Sequence, residues 1–582
     1  MTVMRGADAI TATLMAYGTD LVVGFIGHST HEIADAIGRS DVKTINPATE
    51  LGGAHILNGY NYVKGRPAGV GIWHTCGALL LPAALAEAAA GQIPVVHIAL
   101  DVDSRLKDRE PIQEIPWQSF EPMTRFTTRV ERAEKLPEAV HNAFQAAQGV
   151  PPGPVFIDIP FDITIDEAEV IIPNGWRPVR QRGGAAEADV REAARLLVAA
   201  ENPVFLVGGG VVLSEAGEEL RALAELAGVP FVTTTTAQGV VSEDHPLSLG
   251  TAGFAGWQCA NDTLAGADLV LVLGSRLADW GYAQGWQAEL TATMVQVDTD
   301  VQRLGDFYAT QLSIVADVKT FVLQLTDELP RTDGFSATPF AEKASVQRAQ
   351  ARKLQWRASI DARGDDDRFP MSPWRVMRDL REVLGPDDIL VTDIGNHSSW
   401  LLAGTVLHKP RRVVLSAGAG VLGSGFPMGL GAKLAEPESL VVVGTGDGAF
   451  QYHLNELRVA IEHDLAIVIV VFNDGGYGAN REMMTGAYGQ SQWTEFENPD
   501  YVMIARAYGA EGERIDRTED LPAALARAVA AGKPYIIDVP ISIETGGPAN
   551  NAVGPVLFPE ARQATSGPYG VRRLGENDHV EP

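Results

Sequence analysis

The sequence predicts an α/β protein built from three doubly wound, parallel-sheet domains, and three observations carry that prediction. Short apolar, β-branched runs recur along the chain, separated by stretches with apolar residues at three-to-four spacing. The clearest unit is an apolar run at 440–444 that enters Thr445-Gly446-Asp447-Gly448. A helical pattern follows (Leu454, Leu457, Ala460, Ile461), then a second apolar run at 465–472 that ends in Asn473-Asp474-Gly475-Gly476. Finally, 582 residues are too many for a single core.

In chain order, residues 1–175 form the first block, with strands expected near 21–26, 43–46, 69–73 and 94–100 and an alanine-rich helix over 80–90. The opening MTVMRGADAITATLMAYG carries Asp8 and an amphipathic helical rhythm, which suits neither a signal nor a transit peptide. Residues 174–187, with Pro178 and a Gly-Gly-Ala-Ala run, read as a linker. The middle block, 188–330, has strands expected at 203–207, 230–235, 268–273 and 294–297. A polar junction at 331–339 leads into a helix rich in Lys, Arg, Ala and Gln. The third block, 360–545, has a strand expected at 388–392 ahead of the 440–472 unit, and 546–582 reads as an irregular tail rich in Gly, Pro and Asn.

Composition narrows the function. Hydrophobic residues make up 46% and charged residues 21%, which describes a globular chain, and no apolar run approaches the ~20 residues of a membrane span. A formal charge of −28 argues against nucleic acid or an anionic membrane as partner. Two cysteines, Cys76 and Cys259, support no disulfide framework, so a cytoplasmic location is expected.

A right-handed crossover places the Asp447 and Asp474 turns at the carboxyl edge of neighbouring strands, where open α/β sheets bind ligands. Two oxygen donors beside glycines suit Mg²⁺, which keeps a few protein oxygens and fills its shell with phosphate oxygens. The chain therefore reads as a diphosphate-cofactor enzyme. This arrangement resembles the signature of the thiamine-diphosphate enzymes. The resemblance implies Asp447, Asp474 and the Gly476 carbonyl as Mg²⁺ ligands, although the family's commoner second ligand is an asparagine. It also implies cofactor contacts from Gly446, Gly448, Ala449 and Tyr477, and from the Gly395-Asn396-His397 turn. Leu422, in Val421-Leu422-Gly423-Ser424-Gly425-Phe426-Pro427, matches the bulky residue that bends the cofactor. Glu50, followed by Gly59-Tyr60, Gly65 and Gly69, matches the glutamate that shares a proton with the aminopyrimidine ring. The family layout implies a homodimer or homotetramer with active sites between subunits.

The middle block carries a second pattern. Gly208-Gly209-Gly210 and Gly274-Ser275-Arg276 follow strands, and Asp298 and Asp317 end two more, as a dinucleotide cradle requires. These positions resemble the FAD site of the acetolactate-synthase branch. An NAD⁺-linked step would need a further nicotinamide site, for which the chain has no motif.

The substrate pocket departs from the carboligase pattern. His28 and His31 follow one strand of the first block and His74 ends another, while Gln113 and Asn480 add neutral hydrogen-bonding groups from other loops. With no Lys or Arg at these points, a neutral carbonyl compound is expected rather than a 2-keto acid. Together with VVGFIGH, INPATELGGA, IPWQSF, VTDIGNH and YGAN, these positions resemble the thiamine-diphosphate hydrolases that open alicyclic 1,2-diketones. That resemblance implies C–C hydrolysis of a small neutral cyclic diketone. The alternatives are a carboligase or 2-keto-acid decarboxylase related to acetolactate synthase, and the trihydroxycyclohexanedione hydrolase of inositol breakdown. A non-catalytic cofactor-binding subunit is disfavoured by the presence of Glu50, Asp447 and Asp474 together.

Overall fold

A computed structural model describes residues 2–109, 112–172, 182–253, 256–277, 292–416 and 418–544. The expected tail at 546–582 and most of the expected linker at 174–187 lie outside the described residues.

The first block contains β1 (Thr2–Arg5), β2 (Leu21–Gly24), β3 (Lys43–Ile45), β4 (Gly69–His74), β5 (Val95–Asp101), β6 (Phe126–Arg129), β7 (Pro154–Pro160) and β8 (Glu167–Val170). Six of these form a parallel sheet in the order β3-β2-β4-β5-β7-β6. The helical rhythm expected from the first residues begins only at Gly6, because Thr2–Arg5 pairs antiparallel with Glu167–Val170.

The middle block contains β9 (Pro203–Val207), β10 (Phe231–Thr233), β11 (Ser248–Thr251), β12 (Leu269–Leu273), β13 (Thr293–Asp298) and β14 (Leu312–Val315), ordered β11-β10-β9-β12-β13-β14. The third contains β15 (Ile389–Thr392), β16 (Val413–Leu415), β17 (Val441–Gly446), β18 (Val468–Asn473), β19 (Glu511–Arg514) and β20 (Tyr535–Pro540), ordered β16-β15-β17-β18-β20-β19. Both sheets are parallel, and their central strands are apolar and buried on both faces, the pattern of sheets covered by helices on each side.

The first and third sheets share one strand order: numbered within each block it is 2-1-3-4-6-5. The middle sheet has the order 3-2-1-4-5-6 of dinucleotide-binding folds. In each sheet the connections leave in opposite directions at one interior point, between β2 and β4, between β9 and β12, and between β15 and β17. Ligands of open sheets bind outside the strand ends at such points.

The first and third blocks share one apolar core, which includes Ile56, Leu57, Phe156, Met428, Leu430, Val443 and Ile469. Its axis is the crossing of helices Glu50–Lys64 and Gly425–Ala435. Glycines set that crossing. A Cβ on Gly59 would run into the Met428 carbonyl, and one on Gly431 into the Ile56 carbonyl. Overpacking such a contact costs about 1–3 kcal/mol. Gly59→Ala is therefore expected to lower stability by about that amount in chemical denaturation. Gly38→Ala, whose added Cβ meets nothing within 4 Å, should be neutral or slightly stabilising.

Candidate active site

The reversal point of the third sheet lies between the turns after β15 and β17. After β17 the backbone passes straight into a short helix, Asp447–Phe450, so Asp447 sits on its first residue and is 1% exposed. Its carboxylate accepts from the backbone N–H of Gly448 (2.8 Å), Gly475 (2.9 Å) and Gly476 (3.1 Å), and from the Asn498 amide (2.6 Å). Because β17 and β18 are adjacent, Asp474 arrives beside it. Burial and the neighbouring Asp447 charge push the Asp474 carboxyl up to about 6, and burial also raises Asp447. Two largely buried carboxylates that repel each other form an oxygen donor set suited to a hard divalent cation.

The turn after β15 holds the rest. Asp393, 1% exposed, accepts from the N–H groups of Ile394 (2.8 Å), Gly423 (2.9 Å) and Gly425 (2.7 Å). It thereby fixes the turn carrying Leu422, where Gly423 takes a φ of 88° that a residue with a Cβ would resist. His397 is buried and neutral, its basicity driven down to about 3 by burial, and its Nε2 has no hydrogen-bond partner among the described residues. Gly395 and Gly446 both face its ring, and Gly448 lies under the Tyr477 ring. The Asn396 amide donates to Glu482 at 3.1 Å.

In the first block Glu50 opens the helix Glu50–Lys64, whose cap is the Thr49 hydroxyl accepting from Gly52 N–H at 3.0 Å. The carboxylate of Glu456, from the third block, accepts from the N–H groups of Ala48 and Thr49, both at 3.1 Å. Glu50 itself is buried against Gly77, where any Cβ would displace its carboxylate.

The reversal point of this sheet, between β2 and β4, gathers the histidines. His28 and His74 meet edge to face at 4.9 Å, and Ser29 Oγ lies 2.9 Å from His74 Nδ1. Gln113 hydrogen-bonds His74 and does so from a φ of 75°, uncommon outside glycine. Burial first, then the charges of His28 and His31, hold His74 below its ordinary basicity, and the Gln113 bond opposes them. His28, His31, His74 and Gln113 thus come together within one chain. Asn480 does not join them: it stands exposed on the first turn of the helix Gly478–Tyr488 in the third block.

A cavity of about 720 Å³ lies where the middle block meets the other two. Gly209, Gly210, Gly274, Ser275, Arg276, Asp298 and Asp317 line it, at the reversal point between β9 and β12. Gly208, expected in the same cradle, does not line it. Its lack of a Cβ instead lets the two turns touch, since a Cβ there would meet the Gly274 carbonyl. The Asp317 side chain caps the helix Val318–Glu328 through Thr320 N–H at 3.0 Å, so it is committed to the fold. Arg276 donates to the Ala90 carbonyl at 2.8 Å.

Three domain families match the chain. The N-terminal TPP binding domain of thiamine pyrophosphate enzymes matches residues 4–120, their central domain 190–325, and their C-terminal TPP binding domain 393–539. The chain belongs to the thiamine pyrophosphate enzymes. Among its relatives is a probable acetolactate synthase large subunit of Methanocaldococcus jannaschii, 31% identical over 95% of this chain and 96% of that protein. The acetolactate synthase isozyme 1 large subunit of Escherichia coli is 30% identical over 93% and 94%. The sulfoacetaldehyde acetyltransferase of Castellaniella defragrans is 30% identical over 94% of each.

The residues present fit the thiamine pyrophosphate that names this family. A glycine-floored turn, a buried unpartnered His397 nitrogen and paired carboxylates stand at one sheet edge, and Glu50 stands in a space kept clear by Gly77. Several groups that shape the site escape a reading of the sequence: Glu456, Asn498 and Glu87. The Glu87 carboxylate accepts from Ser416 Oγ (2.6 Å) and from the N–H groups of Gly418 (2.8 Å), Ala419 (3.0 Å) and Gly420 (3.1 Å). Their only sequence signal is an acidic or amide residue amid small ones, which many surface positions share.

His74 is expected to titrate below the ordinary 6.5 of histidine, since the folded protein favours its neutral form. Site-resolved NMR titration of labelled histidine checks this. His28→Ala removes a repelling charge and should move the titration up in pH, whereas Gln113→Ala removes a bond that favours the charged ring and should move it down.

Proposed function

We propose that this thiamine pyrophosphate enzyme hydrolyses the C–C bond between the adjacent carbonyls of an alicyclic 1,2-diketone, converting cyclohexane-1,2-dione into 6-oxohexanoate. The observation that carries the reading is the cluster of His28, His31 and His74 with Ser29 and Gln113 at the reversal point of the first sheet. Such a cluster handles water and protons, and it offers no fixed positive charge to hold a substrate carboxylate.

When bound, the cofactor supplies a carbon nucleophile for addition to a carbonyl. Asp447, Asp474 and the Gly476 carbonyl would hold its Mg²⁺. Gly395, Asn396, His397, Gly446, Gly448, Ala449 and Tyr477 would frame its diphosphate, and Leu422 would support its bent shape. Glu50 would share a proton with N1′ of the aminopyrimidine. His74, held neutral, is suited to take a proton from the attacking water, with Ser29 and Gln113 fixing its ring. A second histidine, His28 or His31, would return a proton to the departing carbon. General acid–base groups of this kind contribute about 10²–10⁴ in rate each. The balance is closed by one water: its oxygen enters the new carboxylate, a hydrogen ends on the aldehyde carbon, and no oxidant is consumed.

The active site would be completed by a second copy of the chain in a homodimer or homotetramer, with Asn480 reaching the pocket from the partner. Leu79, Leu80, Tyr452 and Trp493, which stand beside the Glu50 and metal segments, are 45%, 53%, 55% and 94% exposed in the single chain and support such a contact. The middle cavity would take FAD, a reading supported by its volume and by the 3-2-1-4-5-6 strand order around it. A second reading is an acetolactate-synthase-like carboligase, favoured by the names of the relatives.

Purified protein with thiamine diphosphate and Mg²⁺ is expected to yield 6-oxohexanoate from cyclohexane-1,2-dione and little CO₂ from pyruvate, followed by chromatography of both products. Glu50→Gln should lower kcat by at least about 100-fold. Acetolactate as the main product would favour the second reading.

A further inference from the structure

The two acidic turns are not balanced alike. Asp447 is satisfied by four neutral donors, whereas Asp474 has a cation of its own. Arg481 Nη2 lies 2.7 Å from Asp474 Oδ2, and both side chains are only 14% exposed. The same Nη2 donates to the Asp474 carbonyl at 3.2 Å, seven residues back along the chain. Arg481 stands on the helix Gly478–Tyr488, its own N–H bonded to the Tyr477 carbonyl at 2.9 Å, so the guanidinium is presented by a regular element. A Cβ on Gly478 would collide with Asp474 Oδ2, so that glycine lets the carboxylate lie against the helix start.

Electrostatics gives this pair a task. Two carboxylates facing a cation and a diphosphate would put more negative charge in a half-buried place than one divalent ion offsets, and such charges interact strongly where water is scarce. A guanidinium on one oxygen of Asp474 cancels its charge and leaves the other oxygen as a donor.

We propose that Arg481 is a positioning and charge-balancing residue: with it, Asp474 acts toward the Mg²⁺–diphosphate group as a neutral oxygen ligand, in the way an asparagine would. The proposal rests on the thiamine-diphosphate reading of the site.

It is tested by a double-mutant cycle on binding rather than on turnover. The dissociation constant of thiamine diphosphate is measured by tryptophan fluorescence at fixed Mg²⁺ for the full-length wild type, Arg481→Gln, Asp474→Asn and the double variant. Arg481→Gln, which uncovers the extra charge, is expected to weaken binding by about 10- to 100-fold. Asp474→Asn/Arg481→Gln should return to within about threefold of the wild type, because neither charge remains. Apo melting temperatures control for folding, and Arg481→Met carries the same cycle should the Gln variant fail to fold. Unchanged binding in the Arg481 variant overturns the proposal, as does a double variant at least as weak as Arg481→Gln. A wild type that binds no thiamine diphosphate overturns the cofactor reading, and this inference with it.

Discussion

Everything described depends on the close crossing of helices Glu50–Lys64 and Gly425–Ala435, which welds the first sheet to the third. Gly59 and Gly431 let each backbone touch a carbonyl of the other, and a shared core closes round the contact. Two carboxylates then cross the seam in opposite directions. Glu456 of the third block caps the turn that presents Glu50, and Glu87 of the first block gathers Ser416, Gly418, Ala419 and Gly420 on the way to Leu422. Buried carboxylates are costly unless their lone pairs are satisfied. Here each is satisfied by groups of the other block, so neither block can shift without exposing an unmet charge. The rigidity needed for catalytic placement comes from that exchange.

One strand order serves two different chemistries. The first and third sheets share the 2-1-3-4-6-5 order and bring their reversal points to equivalent edges. In the third, glycines and buried carboxylates prepare that edge for a cation and phosphate. In the first, His28, His31, His74 and Gln113 gather at that edge, which the proposed function assigns to a neutral substrate. The middle sheet, with another order, opens its reversal point into a large cavity against both neighbours. Topology chooses where a site can be, and the side chains on the loops choose what it does.

Much of this was legible in the chain because glycine and acidic residues punctuate strongly periodic segments. The strand–turn–helix–strand unit around Asp447 lies as expected, with β17 and β18 adjacent. The histidines at 28, 31 and 74 meet Gln113 because each ends or follows a central strand of one sheet. What was not legible depends on distant partners. Thr2–Arg5 is a strand only because Glu167–Val170 lies beside it, and β6 and β14 are short edge strands too polar or too brief to stand out. Glu87 and Glu456 look like ordinary acidic residues until the fold buries them against backbone N–H groups. Arg481 reads as one more surface arginine until Asp474 is seen beneath it.

The most direct measurement is an experimental structure of the protein with thiamine diphosphate and Mg²⁺. The account expects the metal on Asp447, Asp474 and the Gly476 carbonyl, with a Glu50 carboxyl within hydrogen-bond distance of the aminopyrimidine N1′. A cofactor seated away from these acidic turns, or a glutamate remote from that ring, would contradict it.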